Sequence, residues 1–311
     1  MNELVSEISK LKKAKNAVIL AHNYQIGDVQ DVADFVGDSL GLSQQAAKTD
    51  ASLIVFCGVH FMAETASIIS PDKKVLIPDL EAGCSLAATI DAEQLREWKK
   101  EHPGAVVVSY INTTAEVKAE SDYCCTSSNA VKVVESIPKN KKVLFLPDRY
   151  LGQYVRAITG REIEIWEGAC HVHEKIGDIN FEDAQSQHPN ADFLIHPECG
   201  CSTSCMLKAQ MHSDYKNVKI FSTEGMINHV KNSDVDEFVI ATEVGIIHRL
   251  KKVKPEVDFY PMSEKSICEY MKMITLEKLY DSLRYEQFEV KVPQEIALRA
   301  KLPIERMLSI I

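Results

Sequence analysis

The chain has 311 residues, 45% hydrophobic and 26% charged, with 35 basic against 45 acidic side chains and a net charge of −10. This is the composition of a folded globular protein, long enough for two or three ordinary domains, and it argues against general nucleic-acid affinity, which needs a net basic face. No apolar run reaches the roughly 20 residues that cross a bilayer, and residues 1–15 lack the apolar core and cleavage site of a signal peptide, so the expected location is the cytosol, away from membranes.

From the N-terminus, Glu3, Glu7, Lys10, Lys12 and Lys13 are interspersed with apolar residues at helical spacing, which predicts an opening amphipathic helix. A short apolar strand follows at 17–20, then a hydroxyl cluster, Gly37-Asp38-Ser39-Leu40, leading into a helix. A second strand at 53–56, another helix and a third strand at 75–77 precede a loop that delivers Cys84. The same order recurs twice. First strands start at 17, 105 and 192, in steps of 88 and 87 residues. Second strands fall at 53–56, 143–146 and 238–241, and third strands at 75–77, 162–165 and 257–260. Each third strand is followed by one cysteine, Cys84, Cys170 or Cys268, which lies 28, 24 or 27 residues beyond the end of the second strand.

Internal repetition fixes architecture, and strands alternating with helices imply parallel sheets with crossover helices. The expected fold is α/β: three similar αβα sandwich domains with small parallel sheets around a pseudo-threefold axis. The boundaries are 1–90 with Cys84, 91–178 with Cys170, 179–275 with Cys268, and a tail at 276–311 that packs on the first repeat, helical over 276–285 and then irregular. Ligands in such sheets bind beyond the carboxyl ends of the strands, where all three cysteines sit. Nine cysteines are many for a cytosolic chain. With disulfides disfavoured there, they are either small buried hydrophobes or metal or cluster ligands, and the one-per-repeat spacing favours a ligand role for these three.

The hydroxyl clusters form a second repeated feature. Gly37-Asp38-Ser39-Leu40, Thr126-Ser127-Ser128-Asn129 and Ser222-Thr223-Glu224-Gly225 each precede a helix. Ser and Thr are common N-caps, and a helix N-terminus is also an anion site. Three such starts facing one centre favour a substrate with several carboxylates or a phosphate.

An ordered set of motifs spans essentially the whole chain: Ala21-His22-Asn23-Tyr24-Gln25, Gly37-Asp38-Ser39, Cys57 to Thr65, Pro78 to Ser85, Tyr110 to Thr114, Cys125 to Ala130, Pro147 to Gly152, Gly168-Ala169-Cys170-His171-Val172-His173, His196-Pro197-Glu198-Cys199 and Met273-Ile274-Thr275-Leu276. In these the sequence resembles the quinolinate synthase family. The resemblance implies a [4Fe-4S] cluster with Cys84, Cys170 and Cys268 as ligands, three thiolates on four irons leaving one iron open as a Lewis acid. It implies condensation of iminoaspartate with dihydroxyacetone phosphate to quinolinate, with loss of phosphate and two waters, in NAD biosynthesis, and transient contact with the aspartate-oxidising enzyme that supplies iminoaspartate. Carried over by motif, His22, Ser39, Asn112, Ser127, His196 and Thr223 bind substrate oxygens. Tyr24 and Tyr110 line and gate the cavity, Glu198 is a general base or acid beside His196, and His173 is placed to bind phosphate.

Duller roles exist for each: His22 and His196 as strand-end caps, Tyr110 as core, Glu198 as a solvated loop carboxylate. For His60, His102, His188, His212, His229 and His248 an ordinary structural role is expected. One departure from the family pattern is Cys199-Gly200-Cys201 with Cys205, a spacing that also suits a zinc or cluster site. Two other function classes therefore stay open: a radical-generating cluster enzyme of the diphthamide-synthesis type, and a non-catalytic metal-stabilised scaffold built on Cys199, Cys201 and Cys205.

Overall fold

In the computed structural model, which describes residues 2–211 and 215–310, runs of aliphatic residues form twelve strands that pair into three sheets. The first sheet holds β1 (Ala17–His22), β2 (Phe35–Gly37), β3 (Leu53–Cys57) and β4 (Lys74–Leu76). The second holds β5 (Val106–Tyr110), β6 (Tyr123–Cys125), β7 (Val143–Leu146) and β8 (Ile163–Ile165). The third holds β9 (Asp192–Ile195), β10 (Val218–Ile220), β11 (Glu237–Ala241) and β12 (Asp258–Pro261). Strand orders are β2-β1-β3-β4, β6-β5-β7-β8 and β10-β9-β11-β12, and every pair is parallel. Helices connect the strands, as parallel pairing requires. The fold is thus the α/β repeat expected from the sequence.

The central strands β3 and β7 are buried along their whole length, the mark of sheets covered on both faces. Phe56, Phe145 and Phe238, one from the third-ordered strand of each repeat, are among the largest fully buried side chains, each worth about 1.5–3 kcal/mol of transfer free energy. One apolar core runs through the first two repeats into the third, and a smaller one, containing Cys199, Cys201 and Cys205, lies within the third.

Two features differ from the sequence reading. Each sheet carries an additional strand (β2, β6, β10), only three residues long and placed at an edge; such a segment is too short to show a hydrophobic period. The C-terminal stretch expected to be irregular contains the helix Gln294–Ser309. Pro303 lies inside it, a residue that ordinarily argues against helix. Its buried residues Ala300, Pro303, Ile304 and Met307 recur at three- and four-residue intervals. The helix Leu276–Tyr285 packs on the N-terminal helix Asn2–Ala14, whereas Gln294–Ser309 packs on helix Ala115–Ala119, β6 and helix His60–Ile69. Between them, Phe288 to Val290 pairs along the edge of β4. Among the described residues no helix is long and apolar enough to cross a membrane.

Candidate active site

In each sheet the order reverses beside its first strand, and such a switch point opens a crevice at the carboxyl ends of the strands. The register makes the three crevices equivalent. His22 pairs with Gly37 and Tyr110 with Cys125, while Ile195 pairs with Ile220 one step before His196. His22, Tyr110 and His196 therefore share one position, Tyr24, Asn112 and Glu198 the position two residues on, and Ser39, Ser127 and Thr223 a third position just beyond the end of the neighbouring strand. All nine line one cavity of about 690 Å³, part of it open to solvent, together with Cys84, Cys170, His173 and Cys268. Every residue nominated from the sequence thus faces the same space.

The cysteine loops repeat as well. His60 donates its N–H to Ala82 O (2.8 Å), Arg149 to Gly168 O (2.8 Å) and Val244 to Ser266 O (2.9 Å), in each case two residues before the cysteine. At Gly168 an added Cβ would collide with Pro147 O and Thr89 Oγ1, so the Cys170 loop can pass there only as glycine. Burial pushes the Cys84 thiol up to about 12, opposed by the N–H groups of Ala87 and Leu86. Burial raises Cys170 and Cys268, the latter to about 11, against the N–H groups of His173 and Val172 and of Met271 and Tyr270. Each sulfur therefore faces N–H donors from the residues two and three further on. Such donors favour the thiolate, the form that ligates metal. These three are half-buried, while the other six cysteines are fully buried. The donor set fits a thiolate-ligated group. Cys170, His173 and Glu198 also place one ligand atom each within 4.8 Å of one another, which could hold a metal ion.

The histidines are neutral donors. Burial, first among the causes, lowers His22 and His173 to about 3 and His196 well below its ordinary value. Nδ1 of His22 accepts the Tyr24 N–H at 3.2 Å, and Nδ1 of His196 accepts that of Glu198 at 3.5 Å. This places their protons on Nε2, and His196 Nε2 stands 3.2 Å from Ser127 Oγ. Glu198 is raised to about 7 by burial, opposed by the Tyr110 hydroxyl that donates to it. Its carboxyl lies 3.6 Å from Nδ1 of both His173 and His196, but with both imidazoles neutral these are polar contacts and not ion pairs. Tyr24 and His173 converge on Thr242 Oγ1 at 2.5 and 2.9 Å. Asn112 lines the cavity, and its Oδ1 is buried without a hydrogen-bond partner among the described residues.

Several site residues were not foreseen. Asp38 and Ser222 cap their helices, accepting from Gly41 N and Gly225 N, and Ser128 Oγ bridges Asp38 Oδ2 (2.7 Å) and Ser222 Oγ (3.0 Å). Ser39 and Thr223 are thereby first helical residues and not caps. Asn23, held by Arg249, donates to Thr223 Oγ1 at 3.0 Å. The residues following the three cysteines form a chain: Ser85 Oγ to His171 Nδ1 (2.5 Å) and His171 Nε2 to Glu269 Oε2 (2.8 Å). Reading one position past each cysteine in the three repeats would have exposed that chain. Cys199, Cys201 and Cys205 lie in the separate core of the third repeat, with Cys199 Sγ donating to Ala241 O at 3.1 Å. His60, His102, His188, His229 and His248 pair with Glu64, Trp98 O, Glu237, Asp192 and Asp31, outside the cavity; His212 lies outside the described residues.

Residues 6–309 match the family described as Quinolinate synthetase A protein. Among proteins named quinolinate synthase, that of Pyrobaculum aerophilum is 56% identical over 304 residues, 98% of each chain. That of a Thermus thermophilus strain is 52% identical, covering 99% of this chain and 97% of its own length. That of a Mycobacterium species is 53% identical, covering 99% and 92%. With its three repeats, shared cavity and near full-length similarity, the chain belongs to the quinolinate synthetase A family.

Proposed function

We propose that this protein condenses iminoaspartate with dihydroxyacetone phosphate to give quinolinate, releasing phosphate and two waters, with a [4Fe-4S] cluster held by Cys84, Cys170 and Cys268. The observation that carries the reading is one half-buried cysteine per repeat, each with two backbone donors, opening on one shared cavity. When bound, a cluster on three thiolates supplies an open iron that acts as a Lewis acid toward a carboxylate or hydroxyl.

The chain's own residues do the rest. Ser39, Ser127 and Thr223 offer hydroxyls at equivalent places to the substrate's anionic oxygens. Nε2–H of His22 and of His196 donates without bringing charge into the cavity, and the Asn112 carboxamide adds a further polar contact. His173 takes the phosphate end. Glu198, poised near neutrality, takes and returns protons as carbon–carbon and carbon–nitrogen bonds form and hydroxyls leave; a catalytic acid or base works best at such a pKa. Tyr110 orients its carboxyl, and Tyr24, tied to Thr242, closes the opposite wall. Phe61, Met62 and Met271 supply apolar walls that exclude water from an intermediate prone to hydrolysis. Anaerobic incubation of iron-loaded protein with the two substrates should yield quinolinate and phosphate in equal amounts. A fully loaded protein that makes neither contradicts the proposal.

A further inference from the structure

The register that aligns the three crevices also aligns Val59, Asp148 and Glu243. Cys57, Leu146 and Ala241 pair with Ala21, Ser109 and Ile195, and these three residues stand two positions further on. Each is followed by the residue whose N–H holds the cysteine loop: His60, Arg149 or Val244. All three are buried, Asp148 and Glu243 at 0% exposure. Two repeats thus place a carboxyl where the first has an isopropyl group. A buried carboxyl is costly unless it is bonded, so its partners reveal its use. Glu243 Oε2 accepts the Gly245 N–H at 2.7 Å, and Oε1 accepts the Cys268 N–H at 3.2 Å. Lys272 Nζ lies 2.8 Å from Oε1 and 2.5 Å from Tyr24 O, which joins this clamp to the first repeat. Asp148 Oδ1 accepts the Leu151 N–H at 2.7 Å. Its Oδ2 is buried without a partner among the described residues, so this carboxyl serves as the cap of its own helix. In the first repeat Val59 offers no acceptor, and the Cys84 loop is held by its own backbone, Gly83 N–H to Glu81 O at 2.7 Å.

We propose that Glu243 is a positioning residue for Cys268, gripping that cysteine's backbone N–H from a buried carboxyl and so fixing the sulfur before iron arrives. The inference rests on the cluster reading above and adds to it an asymmetry: the Cys268 backbone is clamped by a buried side chain, whereas the equivalent place in the first repeat is an isopropyl group. Outer-shell partners of this kind typically change metal affinity roughly 10- to 100-fold when removed.

Two variants of the full chain test it. Glu243→Ser loses the Cys268 contact, whereas Glu243→Gln keeps an amide oxygen for it. After anaerobic loading, the readouts are the rate of iron release to excess chelator, the electron paramagnetic resonance spectrum of the reduced cluster, and folding by circular dichroism. The Ser variant should release iron roughly 10- to 100-fold faster with an altered spectrum, and the Gln variant should return close to wild type. A folded Ser variant that holds iron as wild type does overturns the proposal. Should the Ser variant fail to fold, a Gln variant that folds yet releases iron tenfold faster also overturns it, since an amide oxygen satisfies the Cys268 N–H. Wild-type protein that takes up no iron sinks the cluster reading itself, and this inference with it.

Discussion

Ser39 and Thr223 distinguish two roles that hydroxyls at helix starts can play. Because Asp38 and Ser222 already cap two of these helices, and Ser127 lies two residues before Asn129, the N-cap of the helix Ala130–Ser136, Ser39→Ala, Ser127→Ala and Thr223→Val should leave the melting temperature nearly unchanged. Each should weaken substrate or product binding about 10- to 150-fold, the loss of a charge-assisted hydrogen bond of roughly 1.5–3 kcal/mol. Asp38→Ala should show the opposite balance at its helix, costing about 1 kcal/mol of stability. Calorimetric titration beside thermal melts separates the two. Glu198→Gln removes the group that exchanges protons while keeping its size, and turnover should fall about 100- to 10,000-fold with iron content unchanged; near-normal turnover would remove Glu198 from the mechanism. The sequence exposed these residues because each sits in a motif at a strand end. It placed Asp38 and Ser128 in the hydroxyl clusters but hid the bond between them, which joins repeats 90 positions apart.

At the scale of elements, the third repeat's extra cysteines resolve into packing. Cys201 and Cys205 share a hydrogen bond that, ahead of burial, raises the Cys201 thiol, within a separate core and not among the residues lining the cavity. Cys201→Ala and Cys205→Ala should therefore keep the wild-type iron content, measured by colorimetric iron assay. The tail is fastened by charge as well as by helices: Glu286 bonds Lys15 and Lys74, each at 2.7 Å, and these pairs, Lys15 first, lower its carboxyl from 4.5 to about 2. A depressed acid stabilises the fold above its unfolded pKa, and that stability is lost as the pH falls from about 4.5 toward 2. Being 35% exposed, the group is screened, so Glu286→Gln should cost about 0.5–1 kcal/mol at neutral pH. The gap from wild type in urea denaturation should narrow as the pH is taken below about 4.5. Most elements were legible because long aliphatic strands and amphipathic helices carry their own period. The edge strands β2, β6 and β10 were not, since each runs within two residues into the polar hydroxyl cluster of the next helix start and so reads as part of that loop. Gln294–Ser309 was obscured by Pro303, which is tolerated where burial against β6 and its neighbouring helices outweighs a lost backbone bond.

For the whole molecule, the threefold repetition makes each crevice supply one set of parts to a common centre: a cysteine, a helix start and a strand-end pair. The strand-end pairs have diverged into His22 with Tyr24, Tyr110 with Asn112, and His196 with Glu198, which gives one cavity three chemically different walls around similar cysteine loops. The convergence itself was inferable from the spacing of the cysteines, whereas the links between their loops, Ser85 to His171 to Glu269, belong to no single repeat. The central claim is that Cys84, Cys170 and Cys268 act together as one ligand set. Iron and sulfide analysis with electron paramagnetic resonance, on anaerobically loaded wild type and the three single Cys→Ser variants, tests it most directly. Wild type should carry about four irons and about four sulfides per chain. Each variant should fold yet lose the cluster signal. A variant at any one of the three that keeps the full wild-type signal and iron content would contradict the account.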